Sequence, residues 1–424
     1  MQYRKDQKSG NNLSVLGLGC MRLPRNSKGS DDMGKAERLI CDAIEMGVNY
    51  FDTAYLYGKS EEILGAALTK SGQRENIFLA TKLPHQKCKT YEDFDRFFNE
   101  QLAHLQTDYF DYYLIHNLSS MDSFDRLLDL GIESWIAKQK TAGRIRQIGF
   151  SFHGSQHMFM ELLDRFDWDF CQIQYNYMDE NYQAGRKGLQ RAYEKGLAVI
   201  VMEPLFGGKL ATGLPKQAIK LFNEADSSRT PVAWALEWLW DQPEVTVVIS
   251  GMSTKEQLDE NVETAGKASV GMLTEQDKAT IAEVVEVFHS AYKVDCSGCN
   301  YCMPCPQGIN IPSCFAAYNA RYVTGYVSGI TLYVTSLVTS QPGKQIGPGS
   351  CIECGACEKL CPQHIPITEE LKAVKKKMEP FFLGAALKIY WMMNGGRSRS
   401  PEPESQEEKD PSPAAQDDRS GRSG

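Results

Sequence analysis

The sequence predicts an α/β protein: a (β/α)8 barrel of the TIM type, then a small cysteine-rich domain, then a disordered tail. Three observations lead there. Short apolar runs alternate with amphipathic stretches over residues 12–290; eight of thirteen cysteines fall in two tight groups between Cys296 and Cys361; and the chain beyond Gly396 has no apolar side chain larger than those of Ala414 and Ala415. The expected divisions are 1–290, 291–395 and 396–424. A segment as polar as the last one has nothing with which to build a core.

The barrel reading rests on eight expected strands, near Val15–Leu18, Asn49–Phe51, Ile77–Thr81, Tyr112–Ile115, Gln147–Phe150, Phe170–Ile173, Ala198–Val201 and Thr246–Ile249. They are almost continuously apolar, as strands of a parallel sheet covered by helices must be. Between them lie helical patterns at 35–47, 60–68, 91–105 and 255–265, the first closed by Gly47. Eight such alternations match the size of a TIM barrel. A doubly wound open sheet is the alternative, but it carries G-x-G-x-x-G after its first strand. Here Gly17 and Gly19 are followed by Arg22 where the third glycine belongs.

Composition narrows the function. Hydrophobic residues are 42% and charged residues 24%, values of an ordinary globular protein, and the net charge is −8. A protein that tracks phosphates would be basic, so nucleic acid is not an expected partner. MQYRKDQKSG lacks an apolar signal region, so a cytoplasmic location is expected, and thirteen cysteines there point to metal or redox chemistry rather than disulfides. The uncharged stretch Tyr322–Gly343 is broken by Ser, Thr and Gly and reads as a buried or partly buried helix, with no transmembrane segment expected. The apolar run 381–393 reads as a short docked helix, with interfacial binding the alternative.

Barrel enzymes carry their catalytic groups just past the C-terminal ends of the strands. Those positions hold Asp52, Lys82 and His116, with Tyr57 five residues past Asp52. A phenol has a pKa of roughly 10 and gives up its proton poorly at neutral pH. An ammonium nearby lowers that value, a carboxylate holds the ammonium in place, and an imidazole orients a carbonyl oxygen.

FDTAYLYG (51–58), ATKL (80–83) and YLIHN (113–117) resemble the aldo/keto reductase family over the first 290 residues. The resemblance implies NAD(H) or NADP(H) bound without a Rossmann domain, and a carbonyl or alcohol substrate. It implies Tyr57 as general acid, Lys82 and Asp52 as the pair that tunes it, and His116 as the group orienting the substrate. It further implies carboxamide contacts from Ser151 and Gln172, and a ring contact from Met202, where many members carry tyrosine. Pro204, Leu205, Gly207 and Gly208 would form the pyrophosphate loop, and Glu260 and Asn261 would meet the adenine. Phe152 replaces a usual asparagine. Gly251, Met252 and Gln257 stand where members that prefer NADP carry Lys, Ser and Arg, so NADH is favoured; Lys255 is the one cation nearby.

Cys296-x2-Cys299-x2-Cys302-x2-Cys305-Pro306 is followed by Cys351-x2-Cys354-x2-Cys357-x3-Cys361-Pro362. Zinc suits isolated CxxC pairs. Two runs of four cysteines ending in Cys-Pro point instead to two [4Fe-4S] clusters. These runs resemble two-cluster ferredoxins, which implies a ferredoxin-like domain with Cys296, Cys299, Cys302 and Cys361 on one cluster. Cys351, Cys354, Cys357 and Cys305 would hold the other. The function expected is a carbonyl reductase or alcohol dehydrogenase carrying both clusters. The alternative is a redox-sensing or electron-transfer protein with little turnover. Nicotinamide passes two electrons and a cluster one, so a flavoprotein or other electron-transfer partner is also expected.

Overall fold

The computed structural model describes residues 1–26, 31–340 and 346–379; the expected helix at 381–393 and tail at 396–424 lie outside them. Its strands are β1 (Tyr3–Lys5), β2 (Asn12–Ser14), β3 (Leu16–Gly19), β4 (Tyr50–Asp52), β5 (Phe78–Leu83), β6 (Phe110–Ile115), β7 (Ile145–Phe152), β8 (Phe170–Gln174), β9 (Ala198–Met202) and β10 (Val247–Ser250). Strands β3 to β10 run parallel and close into a barrel, with β10 pairing both β3 and β9. All eight expected barrel strands form, each within a few residues of its expected place.

The β1–β2 hairpin was not expected, because YRK shows no apolar alternation and is mostly exposed. It supplies Leu13, fully buried among Tyr50, Tyr112, Phe170 and Val247 in the barrel interior. The Tyr112 hydroxyl donates to Asp6 Oδ2 at 2.8 Å from the loop between the two strands. Together they close the N-terminal end of the barrel, so only the opposite end is left for chemistry.

A second core fills the space between strands and surrounding helices. Helix α1 (Met33–Glu45) starts at Asp32, whose carboxylate accepts from the Lys35 N–H, and ends before Gly47, at φ 90°. Helix α2 (Ser60–Ser71) packs on α1 and on α3 (Tyr91–Leu105), which opens with a Thr90–Asp93 capping box.

A third core lies between Val294 and Met378, built from helices Ile311–Val323, Tyr326–Ser340 and Ile367–Met378. Among the described residues this region has no strand, so its ferredoxin-like character lies in its cysteine loops and helices. Frequent Cys, Gly and Pro leave little room there for strand alternation. Helix Tyr326–Ser340 is partly buried as expected: Tyr333 and Leu337 face the core, while Val327 is 77% exposed. Among the described residues no helix is long and apolar enough to cross a membrane.

The α2–α3 contact yields a test. A Cβ on Gly65 would lie 2.4 Å from the His104 carbonyl oxygen and 2.7 Å from Leu105 Cα. Alanine regains about 1 kcal/mol of helix propensity, but overpacking against backbone atoms costs about 1–3 kcal/mol. Gly65→Ala is therefore expected to lower the melting temperature in calorimetry; an unchanged or raised value refutes the close packing.

Candidate active site

Strand register brings the four expected catalytic residues to one mouth. Asp52 ends β4, Lys82 lies near the end of β5 and His116 follows β6 directly. Lys82 Nζ is 2.6 Å from Asp52 Oδ1 and 2.8 Å from the Thr53 carbonyl, and both side chains of the pair are almost fully buried. Tyr57 lies over them, with the Lys82 ammonium 4.9 Å from its ring centre. The His116 ring meets it edge-on at 5.7 Å.

The electrostatics differ from the sequence expectation at one point. Burial and the nearby Asp52 charge push the Tyr57 phenol well above its ordinary pKa, where lowering by Lys82 was expected. The reason is local: Asp52 neutralises the ammonium at contact distance, and partial burial leaves a phenolate poorly solvated. Tyr57 thus keeps its proton until charge develops beside it. Burial, aided by Lys82, holds His116 well below its ordinary value, so this imidazole is neutral.

The expected cofactor residues divide by location. Ser151 in β7 pairs with Gln172 in β8, and both are buried. Ser151 Oγ accepts from the Asn117 N–H, which leaves its own proton free. Gln172 donates to Asp52 Oδ2 at 2.9 Å, while its Oε1 is buried without a partner. One free hydroxyl proton and one unmatched carbonyl oxygen suit a carboxamide, so the nicotinamide end fits. Met202 ends β9 beside them, followed by Pro204 and Leu205. Gly207 and Gly208 have φ of 69° and 97°, a conformation that favours glycine.

Among the residues expected nearer the adenine, Met252 is buried and Gly251 exposed. Asn261 Nδ2 donates to Ser250 Oγ, Gln257 Oε1 accepts from the Ser253 N–H, and Glu260 accepts from Thr230 Oγ1. Lys255 is paired with Asp259 on its own helix.

The eight cysteines sort into two sets. Cys296, Cys299, Cys302 and Cys361 line one small cavity, and Cys305, Cys351, Cys354 and Cys357 line another. Each set draws three thiols from one run and one from the other. Soft donors in fours around an apolar space suit an iron–sulfur cluster.

The cysteine-rich region is seated on the barrel mouth. Gln363 Nε2 donates to Gln174 Oε1 at 2.8 Å, Gln183 donates to the same oxygen and to the Pro362 carbonyl, and the Tyr182 hydroxyl donates to the Gln363 carbonyl at 2.6 Å. Lys209 donates to the Cys296 carbonyl. Tyr301, between Cys299 and Cys302, reaches down to place its hydroxyl 3.3 Å from His116 Nε2. Sequence reading missed Tyr301 because it treated residues between cysteines as spacers; an aromatic inside a CxxC was the available signal. It also missed Glu203, whose carboxyl burial pushes up to about 7.

Burial holds His153 at a pKa of about 4, against 6.5 for an unfolded histidine. Between those values the unfolded chain binds the proton that the folded protein refuses, so stability is lost as pH falls from 6.5 to 4. Glu203 works in the opposite sense, so the comparison must be between variants. His153→Gln is expected to flatten the pH dependence of unfolding free energy in that window by up to about 1.4 kcal/mol per pH unit. Identical slopes in wild type and variant refute it.

Residues 15–286 match the aldo/keto reductase family model, and residues 295–365 match the model of a 4Fe-4S dicluster domain. The chain is 28% identical to the uncharacterized oxidoreductase YqkF of Bacillus subtilis, a match covering 69% of this chain and 100% of that protein. It is 29% identical to the aldo-keto reductase YhdN of the same organism, over 37% of this chain and 49% of the relative. Among solved structures, the holo form of an aldo-keto reductase from Bacillus halodurans aligns with a TM-score of 0.55 and 28% identity, covering 67% of this chain and 96% of that one. Barrel, mouth and sequence agree: the chain belongs to the aldo/keto reductase family, as an oxidoreductase with a 4Fe-4S domain after its barrel.

Proposed function

We propose that the protein reduces an aldehyde or ketone to an alcohol, or runs the reverse reaction, with NADH or NADPH, and carries two [4Fe-4S] clusters. The observation that supports this best is the constellation of buried Asp52, Lys82 and His116 with half-buried Tyr57 at the open end of the barrel. A bound nicotinamide supplies a hydride equivalent. The protein does the rest. His116, neutral, directs Nε2 toward the carbonyl oxygen and fixes its position. As negative charge grows on that oxygen, Tyr57 releases its proton to it. Lys82 then stabilises the phenolate left behind, and Asp52 keeps Lys82 charged and in place. Ser151 and Gln172 hold the carboxamide.

The lack of fixed cations at Gly251, Met252 and Gln257, with Lys255 already paired to Asp259, supports NADH over NADPH. The two cysteine quartets are the ligand sets of the two clusters. Cys354 is exposed, which gives an electron-transfer partner access to the second of them.

Tyr57→Phe keeps the ring and removes the acid. Turnover of a carbonyl substrate should fall at least ~10²-fold, with cofactor binding retained; steady-state kinetics with NADH decides, and unchanged turnover sinks the assignment. Protein purified without air should contain iron and acid-labile sulfide for two clusters and bleach on exposure to oxygen. Zinc without sulfide would refute the cluster reading.

A further inference from the structure

The four-residue loop Cys299–Asn300–Tyr301–Cys302 does more than space two thiols. Tyr301 is half-buried in the barrel mouth, near Tyr57, Lys82 and Glu203. Its hydroxyl lies 3.3 Å from His116 Nε2. It is also close enough to Tyr57 to ease that phenol back toward its ordinary pKa, against burial and Asp52. Two groups that would bind a carbonyl oxygen therefore already share a hydroxyl oxygen supplied by the chain.

A second observation comes from the same segment. A Cβ built on Gly207 would fall 1.9 Å from the Ser297 carbonyl oxygen, so the backbone of residue 297 lies directly on the loop expected to face a pyrophosphate. Arg22 donates to the Gly207 carbonyl alongside, and Lys209 is engaged by Cys296. The nicotinamide end of the groove fits its ligand, but the pyrophosphate loop is covered. Residues 297 and 301 thus stand on both places that a reacting pair would need. Beside them a cleft of about 420 Å³, walled by Leu56, Tyr57, Ile63, Asn300 and Met303, leads from the surface to Tyr57.

We propose that Tyr301 is a residue of the substrate site: its hydroxyl holds the place of the carbonyl oxygen, and segment 296–302 leaves the mouth when substrate and dinucleotide enter. Catalysis then selects for molecules whose own oxygen replaces that hydroxyl between Tyr57 and His116. Cys296, Cys299 and Cys302, which line the first cavity, move with the segment, so occupancy of the barrel and the shape of that cavity are coupled. This rests on the carbonyl-reductase reading above.

The test uses a probe that needs neither substrate nor cofactor. Diethyl pyrocarbonate acylates neutral imidazole nitrogens, and peptide mass spectrometry gives the rate at each histidine of the iron-loaded protein. Wild-type His116 is 2% exposed and should react slowly, with exposed His157 as the internal reference. Tyr301→Ala should acylate His116 at least ~10-fold faster, because a site blocked in most molecules reacts only in the open fraction. If the alanine variant loses iron, Tyr301→Leu, which keeps apolar bulk without reaching Nε2, carries the same expectation. An unchanged His116 rate in the iron-loaded variant overturns the proposal. Binding of NADH and NADPH, read by quenching of protein fluorescence, separates it from the broader reading. Tighter binding to the variant supports both. Faster acylation with no binding of either dinucleotide leaves Tyr301 as occupant and defeats the nicotinamide assignment.

Discussion

The Lys82–Asp52 ion pair is the constraint from which the mouth is organised. Two opposite charges almost fully removed from water are tolerable only at contact distance with further hydrogen bonds, and both conditions hold: 2.6 Å between them, and the Thr53 carbonyl and Gln172 amide completing their shells. Because Asp52 also receives the Gln172 amide, the residue that fixes the lysine fixes a carboxamide contact too. Positions on β4, β5 and β8 are coupled through one carboxylate. Tyr57 and His116 then take their electrostatic character chiefly from burial and this pair, with Tyr301 opposing the shift on Tyr57.

That coupling makes a strongly raised phenol compatible with the acid role proposed for Tyr57. A proton donor idle at high pKa protects the resting site from losing its proton to solvent. What matters is how the balance changes when negative charge arrives on an adjacent oxygen, at which moment the ammonium, no longer facing a neutral phenol, stabilises the product anion. The expected lowering by Lys82 is not met in the resting site, because burial and the Asp52 charge outweigh it.

Most of the barrel was legible because parallel strands are buried on both faces and print as nearly continuous apolar runs, as FLATKL and FDYYLI do in β5 and β6. The tetrad was legible because strand ends are readable wherever strands are. The polar hairpin Tyr3–Ser14 was not, since its value lies in one residue, Leu13, reaching a cavity that exists only after closure. Tyr301 was hidden for a related reason. Its meaning depends on how one domain sits on another, and no local periodicity carries that information. The cysteine spacings showed which residues share a chemistry; the crossing of Cys305 and Cys361 between runs needed the resemblance.

The amide seam of Gln174, Gln183 and Gln363 has a consequence for how such a fusion can arise. Each glutamine there is buried, and each has a partner across the junction: Gln363 bonds Gln174, and Gln183 bonds the Pro362 carbonyl. Neither half is a finished object by itself: separated, both would turn amide groups tailored to one another toward solvent. A barrel and a cluster cassette joined by simple gene fusion would begin as beads on a string. This pair has gone further, exchanging independent surfaces for a common interior, so that Cys361 draws its position from the barrel through Pro362 and Gln363 as much as from its own run of cysteines.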